Sequence, residues 1–185
     1  CINDLGLTVD AFIFSGLASA DVVISETEKE LGVVVVDIGA GSTSLCAYVD
    51  GSIEYSASLP VGARHITQDI ALGCKVSIAT AEKIKIALSK EAFKPLTPIA
   101  GESKHDFSKR KKKIDQLKLS DFDNSSDDSE TLSKKDVVEK IMLPRMQEIF
   151  SLIGEQLKKE NLFPLVPAGI VITGGGAETT KIVEI

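Results

Sequence analysis

The sequence predicts a mixed α/β fold, and three features carry that prediction. Four consecutive valines, Val33 to Val36, run into an acid and a broken glycine turn in GVVVVDIGAGSTS. A loosely alternating stretch follows and reverses at Asp50-Gly51, a dipeptide that favours a tight hairpin turn. Helical stripes with apolar residues three and four apart then lead to a second apolar strand, IVIT, which ends in Gly174-Gly175-Gly176.

Taken in order, residues 11–15 (AFIFS) read as a short buried strand and residues 17–31 as one helix. The valine run is β-branched and uninterrupted, as a strand covered on both faces should be. Residues 45–50 and 52–59 form the hairpin, and Pro60 and Gly62 break the sheet. Ile66 and Ile70 then suggest a short helix up to Gly73. Ser77 can cap the next helix, whose stripe is Ile78, Ala81, Ile84 and Leu88 and whose end lies near Lys90.

Residues 94–133 differ in kind, with KRKKK followed by DFDNSSDDSE, and their composition predicts a solvated, partly disordered insert with a weak strand at 114–119. Ser133 and Asp136 resemble a capping box opening a long helix. Its expected buried side holds Val137, Ile141, Ile149, Leu152, Ile153 and Leu157, with a kink at Pro144. A further helix is expected to start near Ala177.

The totals exclude several classes. Among 185 residues, acids outnumber Lys plus Arg by 27 to 21, a net charge of −6, so a nucleic-acid partner is not expected. Cys1, Cys46 and Cys74 are widely spaced and offer neither a disulfide framework nor a zinc site, which fits a reducing cytoplasm. No apolar run reaches the roughly 18 residues of a spanning helix, so membrane contact is expected to be peripheral. The chain opens at Cys1 and stops just past a glycine motif, and it reads as a fragment.

Glycine-rich turns after apolar strands suit phosphate, because bare backbone can approach an anion closely. The chain has no G-x-x-x-x-G-K-[ST] string. A dinucleotide fold would open a helix from its glycine loop, whereas residues 39–44 open a hairpin. A hairpin wrapped around phosphates fits better, with Gly39, Gly41, Ser42 and Thr43 as its binding residues. Asp37, at the strand end, would hold Mg²⁺ through water. The competing reading is an ordinary glycine turn beside a capping acid.

GVVVVDIGAGSTS, LPVGARHITQDIALG, AEKIKIALS and AGIVITGGGA occur together in the order and approximate spacing of one family. In this the chain resembles the FtsA family of bacterial cell-division proteins, actin-like ATPases related to MreB and the heat-shock chaperone ATPases. The resemblance implies an actin-like (ribonuclease H-like) ATPase fold, mainly its second lobe, with a small outer α+β subdomain. It assigns residues 1–31 to the tail of the first lobe and crossover, 32–75 and 160–185 to the second-lobe core, and 76–159 to the outer subdomain.

By the same resemblance the cofactors are ATP and Mg²⁺. Asp37 to Ser42 match the second phosphate motif, with Ala40 replacing a glycine and Ser44 standing where an acid is usual, which puts hydrolysis in more doubt than binding. Glu82, Lys85 and Ser89 match positions that contact adenine and ribose, although alone they would read as a solvated face with a local ion pair. Gly174, Gly175 and Gly176 match the adenosine motif. His65 falls in a matching H-I-T element and is read as structural; neither it nor His105 has a nucleophile partner.

Arg145 matches a position linked to docking the C-terminal tail of the tubulin-like protein FtsZ, and an arginine fork can hold acidic side chains. A solvent-facing helix arginine is the alternative. The resemblance further implies self-association into filaments, other division partners, and a place at the inner face of the cell membrane. The membrane contact would run through a C-terminal helix absent from this chain. Two rival functions stay open: a non-hydrolysing scaffold, and another ATPase or sugar kinase of the superfamily. The last would need a general base that the sequence does not place.

Overall fold

The computed structural model describes residues 2–90, 96–123 and 130–179. Its centre is a four-stranded sheet in the order β3-β2-β1-β6, formed by β1 (Val33–Ile38), β2 (Thr43–Val49), β3 (Ser52–Leu59) and β6 (Ile170–Thr173). β1 pairs antiparallel with β2 and parallel with β6. The valine run is explained by this position. Val34 and Val36 point into the larger apolar core, while Val33 and Val35 point into a smaller one with Ala20 and Ile24. All four are 1% exposed or less, so every second residue is buried on each face and no polar position is left. The hairpin turn forms as expected, with Asp50 and Gly51 both at positive φ.

The smaller core is closed by α1 (Ser15–Val23), and α2 (Glu26–Leu31) follows it. The single helix expected over residues 17–31 is therefore two. Ser25 is extended and its hydroxyl accepts from Glu28 N–H, while the Glu28 carboxylate takes the Ser25 N–H at 2.7 Å. That capping box starts a new helix where the first would have continued. The strand expected at 11–15 does not form. Among the described residues no strand lies beside it to satisfy its backbone, and Phe12 and Ile13 are exposed.

The larger core lies between the sheet and α3 (Ala63–Cys74), α4 (Ile78–Lys90) and α7 (Leu143–Lys159). Ala81, Ile84 and Leu88 of α4 are fully buried, but Ile78 is 48% exposed. The insert carries α5 (Lys104–Asp115), none of whose residues is buried, and a two-stranded antiparallel ribbon of β4 (Gln116–Lys118) and β5 (Thr131–Ser133). The weak strand expected at 114–119 is β4. Residues 124–129 of the DFDNSSDDSE stretch lie outside the described residues.

Ser133 caps the helix that follows, accepting from Asp136 N–H at 3.0 Å. Between α6 (Lys134–Val137) and α7 the chain makes a π-helical turn over Val138–Met142, just before Pro144. A proline lacks the N–H that an α-helical turn needs, and a wider turn accommodates it. The extra residue rotates the stripe. Val138, Met142 and Met146 are buried where the unbroken pattern placed Ile141, which is only partly covered. Near Ala177 the chain makes a 3₁₀ turn, Gly175–Glu178, instead of an α-helix over the residues described.

Candidate functional site

Because β1 and β6 run parallel, their C-terminal ends bring the two glycine loops side by side. Gly174 and Gly176 cross directly over the end of β1. A Cβ on Gly174 would sit 2.3 Å from Asp37 Oδ1, and one on Gly176 would sit 2.3 Å from Ile38 Cγ2. Gly174 also has φ +85°, so glycine is required there twice over. At the hairpin, Gly39 N–H donates to the Ser42 carbonyl at 2.9 Å and closes the turn. Ala40, Gly41 and Ser42 are exposed at its tip.

Helix α3 docks onto this turn end-on. Ala63 N–H donates to Gly39 O at 2.9 Å and Arg64 N–H to Ala40 O at 2.8 Å. Gly62 permits the approach, since a Cβ there would meet Gly39 O at 2.5 Å. His65 supports the same corner, its Nδ1 accepting from Gly62 N–H at 3.1 Å. The contact closes the first turn of α3.

The hairpin, α3, α4 and the second glycine turn enclose a cavity of about 710 Å³. Of the residues singled out from sequence, Gly39, Glu82, Lys85, Ser89, Gly175 and Gly176 line it. Glu82 and Lys85 are an ion pair at 2.8 Å. Thr67 joins them, donating to Glu82 Oε2 at 2.5 Å and accepting from Lys85 Nζ at 3.0 Å. Burial alone would raise the Glu82 carboxyl, but the Lys85 and Thr67 hydrogen bonds outweigh it and hold the group below the usual carboxylate range. The stripe thus carries a local ion pair that faces the cavity.

Asp37, Gly41, Ser42, Thr43 and Gly174 are near the cavity without lining it. Thr43 is fully buried and its hydroxyl donates to Val61 O at 2.8 Å. Asp37 is half-buried and accepts from Ser19 Oγ at 2.7 Å. Ser44 is buried behind the hairpin, where a Cβ on Gly16 of α1 would come within 3.0 Å of its Cβ. Arg64, Thr67, Ile86, Lys90, Glu178 and Thr179 also line the cavity and were not singled out from sequence, and Ile78, expected in the core stripe of α4, lines it too. Arg64 and Thr67 stand three apart in HITQDI's helix, the same spacing as Glu82 and Lys85, so a facing stripe on α3 was the signal available.

Arg145 lies elsewhere, on α7. Its Nε donates to Asp69 Oδ2 at 2.6 Å and its Nη2 to Asp69 Oδ1 at 3.0 Å, a fork that ties α7 to α3. Its Nη1 donates to Glu148 at 2.6 Å. The Asp69 hydrogen bonds push the guanidinium further up. Burial pushes the Cys46 thiol up to about 11, and Cys74 also rises, so neither supplies a thiolate near neutral pH.

A family model described as "Cell division protein FtsA" matches residues 34–185. The chain belongs to the FtsA family. It is 34% identical to the cell division protein FtsA of Pseudomonas aeruginosa and 33% identical to that of Neisseria meningitidis, with the whole chain covered in both cases. It spans 40% of the length of each of these FtsA relatives. Among solved structures it resembles MreB5 of Spiroplasma citri bound to ADP, with TM-score 0.66 and 20% identity over 96% of this chain and 52% of that one. It also resembles the ethanolamine utilization protein EutJ from Carboxydothermus hydrogenoformans, with TM-score 0.55, 20% identity, and 93% and 44% of the two chains covered. The fold of this FtsA-family chain is the actin-like α/β fold.

Proposed function

We propose that this chain supplies the second-lobe half of the nucleotide site in an actin-like cell-division protein that binds Mg-ATP and links FtsZ filaments to the inner face of the cytoplasmic membrane. The observation that carries the nucleotide reading is the cavity itself. Two glycine loops and the α4 stripe, far apart in sequence, converge on one space. Gly175 faces that space with no atom within 4 Å of where its Cβ would be, and Gly41 at the hairpin tip is equally open. Bare backbone therefore stands available for phosphate at one loop and for a purine at the other.

The donor set fits a water-held Mg²⁺. Among the described residues no group of three or more His, Cys, Asp or Glu could hold a metal ion directly. The ion would rest on Asp37, on waters and on phosphate oxygens. Its chemistry there is to neutralise phosphate charge. Ser19 orients the Asp37 carboxylate, and Ser44, buried and uncharged, offers no acid or base at the hairpin, so we assign the site to binding with weak turnover at most. A nucleotide-independent scaffold is the second reading, favoured by that missing acid.

We assign residues 1–31 to the tail of the first lobe and the crossover, 32–75 and 160–185 to the second-lobe core, and 76–159 to the outer subdomain. We further propose that the longer protein to which this chain belongs forms filaments, contacts other division proteins and attaches to the membrane; membership of the FtsA family supports that reading. The FtsZ tail is proposed to dock beside Arg145, whose fork is shared with Asp69; an Arg145→Glu protein should then lose tail binding.

The nucleotide reading is tested by melting the chain with and without Mg-ATP and Mg-ADP. A ligand that binds only the folded state raises the melting temperature, by about 2.7 kcal/mol of stability at a hundredfold excess over Kd. The rise should vanish in Asp37→Ala. No rise in a folded wild-type chain would favour the scaffold.

A further inference from the structure

We propose that Arg64 reads the negative charge of the ligand's phosphate chain, so that the cavity selects polyphosphate over uncharged nucleoside. The inference rests on the reading of the cavity as a nucleotide site and adds a residue that neither motif contains.

Five charged side chains line the cavity: Arg64, Glu82, Lys85, Lys90 and Glu178. Two of them cancel. Lys85 is bonded to Glu82 at 2.8 Å, to Thr67 Oγ1 at 3.0 Å and to Ala63 O at 3.4 Å, which uses the three directions an ammonium can donate. Lys85 is therefore committed to holding α4 against α3 and has little left for a ligand.

Arg64 is different. Its side chain is exposed and makes no hydrogen bond or ion pair with any described residue. Its backbone, by contrast, is fixed, because Arg64 N–H is bonded to Ala40 O at the hairpin turn. The residue lies in the first turn of α3, where the helix dipole already favours an anion. An anchored backbone with a free guanidinium beside a bare glycine turn suits a phosphate oxygen pair, which an arginine fork matches in shape. Lys90, the other cation on the wall, ends α4 and has no such tie to the hairpin. Glu178 belongs to the second glycine turn, and its negative charge sets that end against phosphate and so orients the ligand.

The test compares wild type, Arg64→Gln and Arg64→Lys by calorimetric titration with Mg-ATP, adenosine and inorganic tripolyphosphate, after thermal melts confirm that all three fold. Arg64→Gln should weaken Mg-ATP and tripolyphosphate about tenfold, the scale of one charge-assisted hydrogen bond, and leave adenosine within twofold. Arg64→Lys should recover most of the loss. Equal weakening of adenosine and Mg-ATP would show an effect of cavity shape and overturn the proposal, as would unchanged Mg-ATP binding. A wild type that takes tripolyphosphate in an Arg64-dependent way but not Mg-ATP would sink the nucleotide reading and keep the phosphate site. A wild type that takes neither would sink both.

Discussion

Helices α4 and α5 begin alike and end up in different roles. Each is opened by a serine whose hydroxyl accepts the backbone N–H three residues on, Ser77 from Thr80 and Ser103 from Asp106. Each is rich in lysine. Yet α4 buries Ala81, Ile84 and Leu88 completely, while α5 buries nothing. The cap decides where a helix starts; the stripe decides whether its charges acquire fixed positions. On α4 the packed face holds Glu82 and Lys85 toward Thr67 and the cavity. On α5 the lysines at 109 and 111–113 radiate into solvent.

The sharpest way to break this contrast is to place a carboxylate on each helix. Ile84→Asp would bury an unpaired charge in the larger core, a change worth about 4 kcal/mol or more. Loss of cooperative unfolding is the expected result in a denaturant titration. Ile114→Asp on α5, where the side chain is 45% exposed, should stay within about 0.5 kcal/mol of wild type. Comparable losses in the two proteins would show that α5 is packed against something essential.

The next largest effects separate glycines that pack from glycines that face the cavity. Gly176→Ala drives a methyl into Ile38, with its Cβ 2.3 Å from Ile38 Cγ2, and Gly62→Ala meets the Gly39 carbonyl at 2.5 Å. Each should cost about 1–3 kcal/mol, the scale of overpacking in a close-packed site. Gly175→Ala meets nothing within 4 Å and has no positive φ to strain it. It should leave the melting temperature unchanged and reduce Mg-ATP binding. A destabilised Gly175→Ala protein would mean that this glycine is structural like its neighbours.

These glycines also mark how far the sequence was legible. The valine run, the Asp50-Gly51 turn and the stripe of α4 depend on local pattern, and they stand where the pattern puts them except for Ile78, which is exposed at the start of its helix. The strand expected at 11–15 failed because pairing needs a neighbour that composition does not supply. The break at Ser25 was written in the sequence as S-E-T-E, but a capping box and a helix interior can share the same letters. The π turn before Pro144 could not be read, since one inserted residue moves burial from Ile141 to Val138, Met142 and Met146 without altering the apolar count, while Ile149, Ile153 and Leu157 stay buried. Arg64 and Thr67 lie within LPVGARHITQDIALG, but nothing local to that stretch shows that its helix forms the wall opposite Glu82 and Lys85.

The smallest effect concerns acid. Two glutamates, one near each helix, have carboxyls below the ordinary value of 4.5, for different reasons. Glu102 is held at about 2 by hydrogen bonds from Arg110 and from Ile99 N–H, in the open loop before α5. Glu82 is lowered against its own burial by Lys85 and Thr67. A group whose folded pKa is depressed favours folding above its unfolded pKa and loses that contribution as pH falls through the folded value. Both contributions should therefore be complete above about pH 5 and fade below it, Glu102 only toward pH 2. With the Glu82 side chain 44% exposed, screening leaves its contribution near 0.5 kcal/mol. The expected outcome is that Glu82→Gln flattens the acid side of the melting profile below about pH 5 and loosens α4 at the cavity, seen as faster amide exchange there. Glu102→Gln should change only the exchange of the residues around α5. If Glu82→Gln slowed exchange at the cavity wall, the ion pair would be a strain on α4, and the stripe's geometry would have to come from packing alone.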